Sequence, residues 1–277
     1  MKRFGHLSEV ARGVNVISVG AVHNHNNLTY HQTSSWVNPH YPDYANEGIE
    51  YTKPEIANYS DLLFPKADVF NVTKATTKDG KTTTTTEKLT PFFRQTSSAT
   101  PYTTASVALL LDKYPFYRWH PEVVKALLLT SSIRSITGAE NHDKDNKNFK
   151  VAMGVPDGRA LAQYNRSRFW NGNNKEHFKN EKIEFDETGI TAGNRYRIAI
   201  AWLSSGSDVV KYEKLPQNIN LVVKQEGVTL AKSESPNNPF ELVDFVAKSS
   251  KPLKITIERK DNLGGRVLLG YNLLEVH

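Results

Sequence analysis

Beyond residue 170, apolar side chains fall at every second position. Tyr196, Ile198, Ile200 and Trp202 alternate with smaller or polar residues; Ile219, Leu221 and Val223 repeat the pattern, as do Leu253, Ile255 and Ile257. Successive side chains of a strand point to opposite faces, so each run predicts a strand with one buried face. Clusters of Gly, Pro, Asn and Ser separate the runs, and the stretch 233–239 predicts a loop between strands. The pattern predicts an antiparallel β-sandwich over 166–277, with Trp170 and Trp202 in its core. No convincing helix follows residue 165.

Residues 1–165 read differently. Val14–Val22 is a short β-branched apolar run that predicts a buried strand, and Asp68–Val72 predicts another. Asp79-Gly80, just before a run of threonines at 82–86, predicts an exposed hairpin, although a solvated loop fits the threonines as well. Residues 102–112 are apolar on almost every side (Ala105, Val107, Ala108, Leu109, Leu110, Leu111), which predicts a helix buried inside a large domain. A second helix begins at Pro121-Glu122, with an apolar stripe of Val123, Val124, Leu127 and Leu128. Strand, buried helix and amphipathic helix in succession predict an α/β layered core over 1–165.

Composition narrows the function classes. The net charge is +6, but Lys and Arg are dispersed, with a mild concentration near 166–182. No arginine-rich arm or nucleic-acid motif accompanies them, so a solvated basic surface is expected and no nucleic-acid partner. The chain has no cysteine, which removes disulfides, thiolate zinc sites and a cysteine nucleophile together. No apolar run is long enough to span a bilayer, so no membrane partner is expected. The first residues, Met1 to His6, lack the apolar stretch of a secretion signal, and the compartment stays unassigned.

The chemistry-bearing candidate is Ser97, in Gln95-Thr96-Ser97-Ser98-Ala99-Thr100-Pro101-Tyr102. On its own, Thr96 or Ser97 reads as a helix N-cap. The run resembles the Gly-Thr-Ser-x-Ala-x-Pro-His signature around the nucleophile of the subtilases, the subtilisin-like serine proteases. Further segments follow in family order. Val16–Val22 is similar to a Val-Ile-x-Val-Gly-Ala strand, Ser34-Ser35 to a Phe-Ser-Ser segment, and Lys53-Pro54-Glu55-Ile56-Ala57 to Lys-Pro-Asp-Ile-x-Ala-Pro-Gly. Val124–Ser131 resembles the second C-terminal helix, and Gly154–Leu161 the closing Gly-x-G-x-x-x-Ala element. Residues 192–276 resemble the jelly-roll sandwich appended to some bacterial subtilases.

The resemblance implies the C-terminal part of a subtilisin-like catalytic domain, 1–165, followed by an all-β jelly-roll, 166–277. It implies hydrolysis of protein or peptide substrates through an acyl-enzyme on Ser97, with Thr96 supporting the oxyanion hole. The family's Asp, His and oxyanion Asn precede the strand matching Val16–Val22. They are therefore expected upstream, in a missing N-terminal part that acts as partner, and the chain alone is expected to be inactive. His6, His23, His25, His31 and His40 lack the family's His-Gly-Thr context, and His23-Asn24-His25 reads as a surface turn rather than a metal pair. Secretion is the family default. No cofactor or metal is expected, since Asn218 and Asn220 replace the acidic residues that hold calcium in relatives.

Departures from the pattern keep other readings open. Gln95 stands for Gly, Tyr102 for His, and Asn58-Tyr59-Ser60 for Ala-Pro-Gly, while 36–52 reads as an insertion. A catalytically inactive remnant acting as a binding or structural protein is one alternative, and a carbohydrate-binding module in the sandwich is another. Half of an α/β sheet exposes an unpaired edge, so self-association is also expected.

Overall fold

The computed structural model describes residues 10–23, 27–35, 53–60, 70–89, 95–137, 153–163, 166–171, 177–208, 215–236, 238–263 and 267–277. Residues His6, His25, His40, Asp68 and Val69 and the insertion at 36–52 lie outside them.

In the N-terminal half, β1 (Val19–His23) lies between β2 (Thr29–Tyr30) and β3 (Ile56–Tyr59). It pairs antiparallel with β2 and parallel with β3. Val14–Ser18 leads into β1 without being strand, a shorter element than the apolar run predicts. Asn15 explains part of this. Its amide donates to the Ser204 carbonyl at 2.8 Å and accepts from the Ser204 N–H at 3.0 Å, tying the lead-in to the sandwich. The predicted hairpin forms as β4 (Phe70–Lys78) and β5 (Lys81–Leu89), turning at Asp79-Gly80.

Two helices follow, and their burial reverses the sequence expectation. Helix α1 (Thr96–Lys113) buries Ser98, Ala99, Thr103 and Leu110, whereas Ala105 and Ala108 are exposed and Leu109 is 72% exposed. Helix α2 (Pro121–Ser131) is buried from Glu122 to its last residue, on every face. The cause is position. One side of α2 packs on the outer face of the sandwich and the other meets Ile56 and Leu110, so its polar residues are enclosed too. A short 3-10 helix, Pro115–Trp119, joins the two, and α3 (Gly158–Ala162) is capped by Asp157, whose carboxylate accepts from the N–H groups of Arg159 and Ala160.

The period-two runs form strands as read. The strands are β6 (Arg166–Asn171), β7 (Lys182–Glu187), β8 (Arg195–Leu203), β9 (Gln217–Gln225), β10 (Val228–Ser233), β11 (Phe240–Val246), β12 (Leu253–Asn262) and β13 (Leu268–Val276). They build two four-stranded antiparallel sheets, ordered β10-β9-β12-β7 and β11-β8-β13-β6. Tyr196, Ile198, Ile200 and Trp202 meet Ile219, Leu221, Val223, Ile255 and Ile257 in the core between them. Trp202 is fully buried and Trp170 packs on that core from a partly buried position.

On the outer face of β8, Ala199 and Ala201 are small enough for α2 to lie close. Gly270 of β13 completes that contact: a Cβ there would stand 2.4 Å from the carbonyl carbon of Glu122. Arg197 donates to the Ser132 carbonyl at 2.7 Å, satisfying an orphan acceptor at the C-terminal end of α2. One apolar cluster thus runs from β3 through α2 to β8 and β11.

Candidate active site

Ser97 sits in the first turn of α1 and is exposed, while Thr96 before it is half-buried. Its neighbour Ser98 is buried, with a hydroxyl that meets no hydrogen-bond partner. The N–H groups of Ser98 and Ala99 both donate to the Gln95 carbonyl at 3.1 Å. The N–H groups of Thr96 and Ser97, just before them, are among the orphan donors that every helix start leaves. Pro101 frees an acceptor in the same turn, because without an N–H it cannot bond the Ser97 carbonyl four residues back. Helix α1 therefore presents a hydroxyl and unsatisfied N–H groups together at its positive end.

Gln95 shapes the approach. Its backbone takes φ +61° and ψ −147°, a region held almost only by glycine. The fold keeps at this position the conformation natural to the Gly of the signature, although the side chain is Gln. That side chain is exposed and caps nothing.

The other departures from the signature meet one another. Tyr102 lies edge-on to Tyr59, with ring centroids 5.8 Å apart. Buried Asn58 donates to the Thr103 hydroxyl at 3.0 Å, and its own oxygen accepts from the Tyr59 N–H. Arg134 reaches the Tyr59 hydroxyl and lies over the same ring. The end of β3 is thereby fastened to α1 one to two turns from Ser97. Sequence reasoning missed Asn58 and Thr103 as supports; the signal was that both changed positions, 58–60 and 102, stand in motif segments.

A second missed feature lies beneath β3. Glu55 accepts from Lys53 at 2.6 Å, from Lys125 of α2 at 3.2 Å and from the Ser18 N–H at 2.8 Å, all in the interior. Lys53 also donates to the carbonyls of Gly13 and Val16. Burial pushes the Lys53 ammonium down to about 8, against the pull of the Glu55 carboxylate. This cluster pins the lead-in to β1 and α2 against β3.

Four of the described imidazoles are engaged elsewhere. His31 bonds Thr33 and stacks on His23 with centroids 3.8 Å apart, His120 bonds Glu122 at 2.9 Å, and His177 meets the Asn171 carbonyl. Among the described residues no hydrogen bond joins an imidazole to Ser97, and no group of three or more His, Asp or Glu could hold a metal. The amide oxygens of Asn218 and Asn220 are buried on β9 without a protein partner. No described helix is long and apolar enough to cross a membrane.

A cleft of about 910 Å³ separates the 3-10 helix from β6, bordered by Phe116, Phe169, Arg166, Arg168 and Glu187. Its exposed rings do not form a flat platform: Phe116 and Phe169 are inclined by 53°.

A family model described as the subtilase family matches residues 5–178, more than half of the chain. No curated protein matches. Among solved structures, a de novo designed double-stranded beta-helix is 15% identical, with 41% of this chain and 100% of that one covered at a TM-score of 0.22. A carbohydrate-binding module in complex with calcium and xylotriose is 9% identical over 34% of this chain and 72% of that one, also at 0.22. The mosquito-larvicidal Cry4Aa toxin from Bacillus thuringiensis is 14% identical over 35% and 18%, at 0.21. Scores this low assign no fold.

Proposed function

Because the chain belongs to the subtilase family of serine peptidases, we propose that Ser97 is the nucleophile of a serine endopeptidase. In this reading residues 1–165 are the C-terminal part of its catalytic domain and 166–277 a jelly-roll that stabilises it. The observation that carries the reading is the contrast between exposed Ser97, beside orphan N–H donors, and buried Ser98.

Ser97 Oγ attacks the peptide carbonyl carbon and forms the acyl-enzyme, expelling the amine. The tetrahedral oxyanion forms where the helix start favours negative charge, with the Ser97 N–H as one donor and Thr96 supporting it. The proton of Ser97 must pass to a base, and in the family that base is a His oriented by an Asp. We place both, with the oxyanion Asn, in a polypeptide segment upstream of Met1 that packs on the exposed face of α1 around Ala105, Ala108 and Leu109. The parallel β1–β3 pair under α1 is then one edge of a larger α/β layer. The substrate is protein or peptide.

The test is hydrolysis of fluorescein-labelled casein. The purified chain is expected to give no turnover. The polypeptide translated from the reading frame extended upstream is expected to turn over, Ser97→Ala to lower the rate by a factor on the order of a thousand or more, and Ser98→Ala to leave it within a few fold. Turnover by the chain alone, lost in Ser97→Ala, would show that the base lies within it. One observation favours an inactive binding scaffold instead, the Gln95 side chain on the rim of the site. An inactive extended polypeptide decides for it.

A further inference from the structure

The β4–β5 ribbon stands apart from every sheet. Its strands pair only with each other among the described strands, and its side chains from Thr73 to Thr86 are exposed. At about 3.4 Å per residue each nine-residue strand is about 30 Å long. An isolated two-stranded ribbon is marginal in water, and a bare strand edge is a template for another chain.

The turn fixes which groups face that edge. Asp79 and Gly80 have φ of +52° and +73°, the two positive values of a two-residue type I′ turn. Lys78 and Lys81, which flank it, are then a hydrogen-bonded pair, and bonded and non-bonded pairs alternate along the register. Thr76 with Thr83 and Lys74 with Thr85 bond inward. Thr77 with Thr82, Ala75 with Thr84, and Thr73 with Thr86 direct their N–H and C=O groups outward.

Side-chain direction alternates with the same period, so each set shares a face. The inward-bonding set carries all the lysines between residues 73 and 86; the outward-bonding set carries only Thr and Ala. The outward edge of β5 from Thr82 to Thr86 has no Pro, no bulge and no charge, the usual guards of an edge strand.

We propose that the free edge of β5 receives an extended acidic polypeptide segment as a third strand, drawn there by Lys78 and Lys81. Charge selects this occupant over a second copy, since two ribbons edge to edge would set lysine faces side by side. The inference rests on the peptidase reading for the identity of the segment, which is substrate. Position agrees: Leu89 precedes Gln95 by six residues, a reach of at most about 21 Å. A segment that docks at Thr82–Thr86 and runs on past Leu89 comes within that reach of the start of α1.

Binding is measured by fluorescence anisotropy on the full chain carrying Ser97→Ala, so that cleavage plays no part. The probe is a fluorescein-labelled peptide of alternating Glu and Val. Two companions are the same peptide N-methylated at alternate residues and a single-stranded DNA oligonucleotide of equal charge. The peptide is expected to bind and its N-methylated form is not.

Thr84→Pro removes an outward N–H of β5 without touching the β4–β5 ladder, and should weaken binding about fivefold. Thr84→Ala should not. Lys78→Glu with Lys81→Glu should weaken it about tenfold at low salt, less at high salt. Equal binding of the N-methylated peptide, unchanged affinity in Thr84→Pro, or tighter binding of the DNA overturns the proposal. None of these outcomes touches Ser97 as nucleophile, and loss of hydrolysis in the casein assay would not touch the ribbon.

Discussion

Replacing Gln95 by glycine should stabilise the protein. Its φ of +61° and ψ of −147° lie where a β-carbon crowds the backbone, and holding a non-glycine residue there costs about 1–3 kcal/mol. The exposed side chain makes no capping bond, so its removal forfeits little. Against the gain stands the greater freedom of glycine in the unfolded chain, about 0.4–1 kcal/mol. The balance is a stabilisation of up to about 2.6 kcal/mol, which urea denaturation resolves as a higher midpoint at constant slope. Gln95→Ala is the decisive companion. It deletes the amide but keeps the β-carbon, so it should stay within about 0.5 kcal/mol of the parent. If Gln95→Gly destabilises, or Gln95→Ala gains as much as Gln95→Gly, backbone strain is not what this position stores.

Three further outcomes are expected. Burial pushes the Glu241 carboxyl up to about 8 from 4.5 despite its bonds to Ser233 and Ser235. The folded state therefore holds the proton more tightly than the unfolded one, and stability present below pH 4.5 is lost as pH rises through 8, by an amount on the order of 3–5 kcal/mol. Glu241→Gln should flatten that decline in urea midpoints taken from pH 4 to 9, and a parallel decline in both proteins refutes the assignment. Glu55→Gln leaves the buried ammonium groups of Lys53 and Lys125 facing each other without their anion and should cost about 3–5 kcal/mol; a loss under about 1 kcal/mol would contradict this. Gly270→Ala puts a methyl group 2.5 Å from the Glu122 carbonyl oxygen and should cost about 3 kcal/mol as α2 is forced off β13, read by the same denaturation.

The sandwich strands were legible because their signal is local: a pleat alternates whatever lies beyond it. The hairpin was legible for the same reason, since Asp-Gly supplies both positive φ values of its turn. The nucleophile candidate was legible as a signature, Thr96 and Ser97 followed four residues on by Pro101, whose missing N–H has a local consequence. The supports of that site were not. Asn58 meets Thr103 across 45 positions, and Lys125 meets Glu55 across 70. Nothing in the spacing of such residues announces that a buried acceptor awaits a donor from another element.

The two helices show the boundary most sharply. The sequence by itself determined that 102–112 and a segment starting at Pro121 are helical and that both are rich in apolar residues. It could not determine which of them would be enclosed, because a helix carries its periodicity in its own residues and its burial in its neighbours. Only the tertiary structure decided that, by laying α2 between β3 and the outer face of β8 and β13, where Ala199, Ala201 and Gly270 leave room for its backbone, and by leaving Ala105, Ala108 and Leu109 of α1 facing outward.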